Sequence, residues 1–193
     1  MAKSDADQKG SSFGLLKAKG VAKSAKMITV SWKKIPGATA YVIYGNRCGK
    51  SNKYKKIRTV SGTSFTQKKL KKGKYYKYVV VAINGDKAIA ISKTIHVATK
   101  GGKVGNSKSV TTNAKKNKVT IKKGKSFRIK ARAIPQSAKL KVKKHRAIAY
   151  ESSDKNIATV SKKGVIKARG KGTCKVFVYT QNGVSKAIKV TVK

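Results

Sequence analysis

Carboxylates are the side chains that this sequence lacks most. Five Asp and Glu residues stand against 49 Lys and Arg residues, so the formal net charge is +44. Between Gln8 and Tyr150 the one carboxylate is Asp86. Such a charge steers a protein towards anionic surfaces and opposes compaction through self-repulsion. We therefore expect a negatively charged partner.

The shortage of acid and base groups also bears on catalysis. Acid-base or hydrolytic chemistry needs a carboxylate or His held in place by partners, and the histidines are His96 and His145. No phosphate-binding glycine loop or nucleophile elbow is present. Calcium needs clustered carboxylates, and two cysteines, Cys48 and Cys174, are too few and too distant for a disulfide framework or tetrahedral metal site. We expect no enzyme, cofactor or metal, with Cys174 on the inward face of a strand.

Long apolar runs are absent as well. No segment approaches the roughly 20 apolar residues of a membrane span, and Met1–Gly10 lacks the apolar core of a secretory signal. The chain is therefore expected not to insert into a membrane. It is either made and used without ordinary secretion or an excised piece of a longer protein.

What the chain does contain is period-two alternation. Ile28, Val30 and Trp32 alternate with polar residues, and the same pattern returns between Phe127 and Ala133. Such runs, separated by turn residues and almost free of proline, predict an all-β protein with one buried face per sheet. Asn84-Gly85 and Asn182-Gly183 lie between alternating runs and predict the final hairpin of each of two sandwiches.

A polar stretch separates the two alternating regions. Residues 100–112 are rich in Gly, Ser and Thr and have little to bury, which is typical of an interdomain linker. We therefore predict tandem immunoglobulin-like β-sandwiches: a polar tail over 1–11, a first domain over 12–99, the linker, and a second domain over 113–193.

The first domain resembles a fibronectin type III module. Ile28–Trp32 is similar to its second strand with the core Trp, and Pro36–Tyr44 to the following turn and third strand. Leu70–Gly73 followed by Tyr76 has the spacing of the tyrosine corner, in which a Tyr hydroxyl ties down a crossing loop. Within this resemblance Trp32, Tyr41, Tyr76 and Tyr78 are expected in the core. Exposed positions are expected for Tyr44, Tyr54 and Tyr75.

The second domain resembles the bacterial group 2 immunoglobulin-like module. The resemblance lies in Tyr150–Val160, Gly164–Ala168 and Gly170–Thr173, with Tyr150 where that family more often has Trp. These are framework residues that suit turns and a core. Upstream, Lys139–Arg146 is longer and more basic than the family's usual connection. We expect it to form a cationic protrusion beside the sandwich.

Two groups of cations form the predicted binding site, and their role is either attraction of an anion or simple solvation. Only six cations of the chain are Arg, so the charge favours diffuse, salt-sensitive attraction over bidentate readout. The first group lies around one strand face and the second in the basic segment just described. They are Lys122, Lys123, Lys125, Arg128, Lys130 and Arg132, then Lys139, Lys141, Lys143, Lys144 and Arg146.

Three kinds of partner follow from this charge. Both resemblances imply non-catalytic modules of extracellular proteins and phage particles. The leading hypothesis is a virion accessory protein that decorates a capsid or tail and docks on its acidic protein lattice. The alternative is a fragment of a bacterial surface or secreted adhesin that binds anionic glycans or cell-wall polymers. Non-specific binding of nucleic acid is the third.

Overall fold

The computed structural model describes residues 15–193 and shows an all-β chain, as predicted. The predicted N-terminal tail, 1–11, lies outside the described residues. Eight strands build the first domain. They are β1 (Ala18–Ala22), β2 (Ile28–Trp32), β3 (Ala40–Arg47), β4 (Lys55–Val60), β5 (Ser64–Gln67), β6 (Tyr75–Asn84), β7 (Lys87–Ile91) and β8 (Ile95–Ala98).

Two antiparallel sheets face each other in this domain. One has the order β1-β2-β5, and the other has the order β4-β3-β6-β7 with β8 also paired to β6. In β2 the apolar residues alternate inward, and Ile28 and Val30 are fully buried. Trp32, Tyr41, Tyr76 and Tyr78 are buried, as the resemblance implied. The Lys71 N–H donates to the Tyr76 hydroxyl at 2.9 Å, which is the tyrosine corner.

Nine strands build the second domain. They are β9 (Ser107–Thr112), β10 (Lys118–Ile121), β11 (Ser126–Arg128), β12 (Ala131–Pro135), β13 (Ala149–Ser152), β14 (Ala158–Val160), β15 (Val165–Ala168), β16 (Gly172–Tyr179) and β17 (Ser185–Val192). One sheet has the order β10-β17-β16-β13, with β10 parallel to β17. The facing layer consists of β11-β15-β14 and the pair β12-β9.

The core of the second domain lies between these layers. Ile166, Val176, Ile188 and Val190 are fully buried. Cys174 faces inward on β16 and is 4% exposed, as its alternation with Val176 predicted. Both predicted hairpins are present: Asn84-Gly85 begins the turn between β6 and β7, and Asn182-Gly183 lies in the loop between β16 and β17.

The predicted linker is shorter in the structure. Ser107–Thr112, assigned to the linker from its Ser and Thr content, forms β9 and pairs with β12. Burial along this strand does not follow a strict period of two, because Ser107 and Val110 are both buried whereas Lys108 and Thr111 are exposed, and the pairing with β12 shifts register between Ile134 and Pro135. The prediction was wrong here because four of the six residues of this strand are Ser or Thr, and hydrophobicity does not detect the burial of small polar side chains.

The two sandwiches pack directly on each other. The Gly20 N–H donates to the Asn182 carbonyl at 2.9 Å, and the His96 N–H donates to the Gln181 carbonyl at 2.7 Å. The Asn106 side chain forms two hydrogen bonds with the Ala98 backbone, at 2.8 and 2.9 Å. Thr180, Gln181 and Asn182 are 0, 6 and 2% exposed, so the hairpin loop of the second domain is buried against the first.

Candidate polyanion-binding surface

The first group of predicted cations lies along one border of the second domain. Lys122, Lys123 and Lys125 are exposed in the turn between β10 and β11. That turn is fixed because the Lys123 N–H donates to the carbonyl of Lys193 at 2.9 Å and the Ala168 N–H donates to that of Lys125 at 3.0 Å. Gly124 occupies it with φ of +83°, a conformation that favours glycine.

The remaining cations of this group follow the same strand. Arg128 ends β11, Lys130 lies between the strands, and Arg132 points outward from β12; all three are exposed. Asn113 positions this bend, since its side chain accepts from the Lys130 N–H at 2.7 Å and donates to the Arg128 carbonyl at 3.1 Å. The side chains therefore project from backbone that is held in place.

The predicted cationic protrusion takes a different position. The segment 139–146 lies across the junction of the two domains rather than standing free beside the sandwich. The Lys141 N–H donates to the Lys103 carbonyl at 3.1 Å, and the Lys143 N–H donates to the Tyr75 hydroxyl at 3.1 Å. Leu140 and Val142 are half-buried, so the segment alternates an apolar face with exposed lysines at 139, 141, 143 and 144.

Arg146 differs from the other predicted cations because it is a structural residue. Its Nε donates to the Thr94 carbonyl at 2.9 Å, and its two terminal nitrogens donate to the carbonyls of Thr180 at 2.8 Å and Ala147 at 2.7 Å. Burial lowers the pKa of this guanidinium to about 10. Its donors are largely used by the protein, so the binding set of the segment reduces to its lysines.

The histidines and Tyr75 pack together at the same junction. Tyr75 was expected to be exposed, and this was wrong: it is 6% exposed, because the second domain covers it. Its hydroxyl donates to the Gly105 carbonyl, and its ring lies 4.4 Å from that of His145 between centroids. His145 in turn stacks on His96 at 5.5 Å. Both histidines have lowered pKa values, mainly through burial, and that of His96 falls to about 4.

The carboxylates of the described residues are either engaged or isolated. Glu151 lies 3.7 Å from Lys93 of the first domain and accepts from the Tyr179 hydroxyl at 3.1 Å. Asp154 accepts from the Asn156 N–H at 2.8 Å, which closes a turn. Asp86 is exposed in the β6–β7 turn. Over residues 15–193, Lys93–Glu151 is the one ion pair, so the other cations lack an acidic side-chain partner there.

A groove of about 640 Å³ opens in the second domain between β12 and the segment 140–150. Its floor is apolar, with Ala131, Ala133, Leu140, Val142 and Ile148 among the lining residues. Its rim is basic. The rim cations are Arg128, Lys144, Arg146, Lys162 and Lys163.

Lys162 and Lys163 are basic residues that the sequence-based site omitted. They lie in the turn before Gly164, whose φ is +76°. The Ile129 N–H donates to the Gly164 carbonyl at 2.9 Å, and this brings the turn beside Arg128. A Lys-Lys-Gly turn is visible in the sequence, but its proximity to Arg128 depends on how β11 pairs with β15.

Within residues 15–193, no group of three or more His, Cys, Asp and Glu side chains is placed to hold a metal ion. Among the same residues, no helix has the length and apolar character that crossing a membrane requires.

The fold defines a tandem of immunoglobulin-like sandwiches. In the first domain, the sheets β1-β2-β5 and β4-β3-β6-β7 together with the tyrosine corner resemble those of a fibronectin type III module. Residues 106–192 match the family model of the bacterial Ig-like domain (group 2). The predicted resemblances are thus confirmed: residues 106–192 match the bacterial group 2 immunoglobulin-like domain, and the first domain is similar to a fibronectin type III module. Domains of both classes are typically non-catalytic.

Similar solved structures include fibronectin type III domains. The FN5 domain of Drosophila Lar is 27% identical with a TM-score of 0.40, and the match covers 47% of this chain and 98% of that one. A Fn3-like protein from Clostridium thermocellum is 22% identical with a TM-score of 0.38, covering 44% and 88% respectively.

Two curated proteins match part of the sequence. Kappa-carrageenase of Pseudoalteromonas carrageenovora is 38% identical over 65 residues, which is 34% of this chain and 15% of that protein. Lacto-N-biosidase of Bifidobacterium bifidum is 35% identical over 74 residues, which is 38% of this chain and 6% of that protein. The matches thus span a small part of both relatives.

Proposed function

We propose that this chain is a non-catalytic attachment module that binds a polyanionic surface through many exposed lysines. The observation that carries the proposal is the excess of unpaired cations. The sequence has 49 Lys and Arg residues, and residues 15–193 contain one ion pair. Ordinary surfaces interleave both signs of charge. A bound polyanion would relieve the repulsion between neighbouring cations and release its own counterions.

The packing of the two sandwiches supports this mechanism. Backbone hydrogen bonds join the domains at Gly20 and His96, and Arg146 bridges Thr94 and Thr180. Lysines of both domains are therefore held at fixed distances from one another. Each exposed charge pair contributes only about 0 to 1 kcal/mol. Many such contacts on one fixed scaffold add up, because the later contacts form at a high effective concentration.

Anionic glycans or cell-wall polymers at a bacterial surface are the partner that the comparisons favour. The two curated relatives are named for activities on carbohydrates, kappa-carrageenase and lacto-N-biosidase. Bacterial group 2 immunoglobulin-like domains occur in extracellular or surface proteins. We therefore put attachment to an anionic glycan first. Docking on an acidic virion lattice and non-specific binding to nucleic acid stay predictions and serve as further targets in the experiment.

The experiment measures binding of the full chain to dextran sulfate and to uncharged dextran, which differ in charge but share a backbone. We expect binding to dextran sulfate that weakens by roughly tenfold or more as NaCl rises from 50 to 500 mM, because bound cations release counterions. Dextran should not bind. Polyglutamate-coated beads and duplex DNA represent an acidic protein surface and nucleic acid. Attachment to dextran sulfate that is insensitive to salt would contradict the proposal.

Two variants of equal charge locate the surface. One replaces Lys139, Lys141, Lys143 and Lys144 with Gln and keeps Arg146, which is structural. The matched control replaces Lys33, Lys34, Lys55 and Lys56, which are exposed in the first domain. We expect the first variant to weaken binding more, because the second domain also carries the cluster from Lys122 to Arg132. Equal loss would mean that net charge alone decides attachment.

A further inference from the structure

The edge of β12 beside the groove has no strand partner in the described part of the chain. β12 pairs with β9 on one side and forms a two-stranded ladder there. On the other side, β15 pairs with β11 but begins only after the Gly164 turn, where the Ile129 N–H donates to the Gly164 carbonyl. Pairing with β15 therefore stops just before β12 begins. Such an edge presents free N–H and C=O groups that can template an added strand.

The groove provides places for the side chains of such a strand. In a β-strand alternate residues point to opposite faces, and Ala131, Ala133 and Pro135 lie on the face of β12 that lines the groove. Leu140 and Val142 close it from the other side. Space remains between the two walls because the alanine side chains are small. The groove volume of 640 Å³ falls within the usual range of about 300 to 1,000 Å³ for a binding site.

The charges around the edge select the ligand. Arg132 alternates with the groove-lining residues and is exposed on the opposite face of β12. Lys144, Lys162 and Lys163 stand at the rim, and no carboxylate of residues 15–193 lines the groove. An added strand would place every second side chain beside these cations, where opposite-charge cross-strand pairs are stabilising. A glycan suits the floor less well, because Leu140, Val142 and Ile148 offer no hydrogen bonds to its hydroxyls.

We propose that β12 and this groove bind an extended acidic peptide segment of a partner protein by strand addition. Apolar side chains of the segment enter the groove, and its alternating carboxylates face Arg132 and the rim lysines. The backbone of the segment pairs with the open edge of β12, which is a recurring mode of peptide recognition. This site shares Arg132 and Lys144 with the diffuse cationic surface and differs from it because it requires alternation of side chains in addition to charge.

The test uses a fluorescein-labelled peptide, Glu-Val-Glu-Val-Glu-Val-Glu, and the full chain at 0.15 M NaCl. Fluorescence anisotropy should show saturable binding, and the backbone amide NMR signals of β12 should shift. A control peptide of the same composition, Glu-Glu-Val-Val-Val-Glu-Glu, should bind at least tenfold more weakly, because its residues do not alternate. N-methylation of every second amide, on the edge that would pair with β12, should cause a similar loss. Equal binding of all three peptides would overturn the proposal.

Protein variants give a second readout. Ala133→Phe should fill the groove and weaken peptide binding at least tenfold, with the fold checked by circular dichroism. Lys162→Gln with Lys163→Gln should weaken it several-fold, whereas Lys122→Gln with Lys123→Gln, an equal change of charge outside the groove, should not. If Ala133→Phe does not fold, the N-methylated peptide decides alone. Displacement of the peptide by an anionic oligosaccharide that binds the groove in its own right would reassign the site to a glycan.

The two proposals fail in different ways. If the chain does not bind dextran sulfate in a salt-dependent way but still prefers the alternating peptide, the groove proposal stands and the attachment-surface proposal fails. If the chain binds dextran sulfate but does not prefer the alternating peptide, the attachment-surface proposal stands and the groove proposal fails.

Discussion

The Nε atom of Arg146 donates to the carbonyl oxygen of Thr94 at 2.9 Å, so a charged side chain of the second domain is anchored on the backbone of the first. A neighbouring nitrogen of the same guanidinium donates to Thr180 of its own domain at 2.8 Å. Arg146 therefore connects the two sandwiches through carbonyl groups. Its burial without a carboxylate is tolerated because its donors are satisfied by backbone acceptors.

Replacing Arg146 with Gln should weaken the junction. The shorter amide cannot reach both Thr94 and Thr180, and lost hydrogen bonds to a charged group cost about 1.5 to 3 kcal/mol. We expect a loss of that size in the free energy of urea unfolding. Arg58→Gln is the matched control, since Arg58 is exposed on β4 and surface changes usually stay within about 0.5 kcal/mol. Equal losses in the two variants would contradict the bridging role of Arg146.

Gly183→Ala tests the docking of the hairpin loop. Gly183 has φ of +84°, and an added Cβ would overlap the backbone carbonyl oxygen of Ala18 in the other domain. Gly85→Ala is the control, because Gly85 has φ of +56° in the other Asn-Gly turn and open space around it. The control should cost about 1 to 2 kcal/mol through backbone conformation.

Gly183→Ala should cost clearly more than that control and should also expose the junction. Hydrogen exchange of the Gly20 and His96 amides, which bond to Asn182 and Gln181, would report the opening directly. If the two substitutions cost the same and both amides keep their protection, the contact between the domains does not depend on this loop.

The pH dependence of stability should carry a contribution from His96. Burial, followed by the charges of His145, Arg146 and Lys77, lowers the pKa of His96 in the folded chain to about 4, whereas an unfolded His titrates near about 6.5. Between these values the unfolded chain binds more protons, so the free energy of unfolding must fall as pH drops from about 6.5 towards 4. Above about pH 7 this contribution is constant.

The measurement is urea unfolding at pH 7.5 and 4.5 for the wild-type chain and His96→Gln. The wild-type chain should lose more stability than the variant between these two pH values, since Gln does not titrate. Carboxylates such as Glu151 affect both proteins alike and cancel in the comparison. An equal loss in both would show that His96 takes up its proton as readily in the folded chain as in the unfolded one.

Added salt should stabilise the free protein. Screening lengths fall from about 10 Å at 0.1 M to about 3 Å at 1 M, which reduces repulsion among exposed lysines. The same screening would weaken one ion pair among residues 15–193, that of Lys93 and Glu151. A gain of about 1 kcal/mol would raise the melting temperature by about 2 to 4 °C in a chain of this size. Calorimetry should show the same rise in melting temperature in NaCl and in KCl at equal ionic strength. A melting temperature that stays flat or falls as salt is added would contradict the prediction.

The predicted site illustrates which parts of a surface a sequence can specify. Arg128, Lys130 and Arg132 are exposed because they alternate with apolar residues that face the core, and alternation is a local property. Arg146 belongs to the same basic run as Lys144, yet it is half-buried and bonded to another domain. Nothing in the run distinguishes the two cations, because the partner of Arg146 is a backbone carbonyl, and any sequence provides one.

By itself, the sequence determined the class of fold and the sign of the protein's own charge. Period-two alternation, two Asn-Gly turns and the Tyr76 spacing fix strands and sandwiches through short-range sterics and burial, and composition fixes the charge. Only the tertiary structure decided that Tyr75 is covered, that 107–112 forms a strand, and that segment 139–146 lies across the junction. It also decided that the edge of β12 is open. These features depend on surfaces that are distant in the chain and meet only after folding, so no local pattern encodes them.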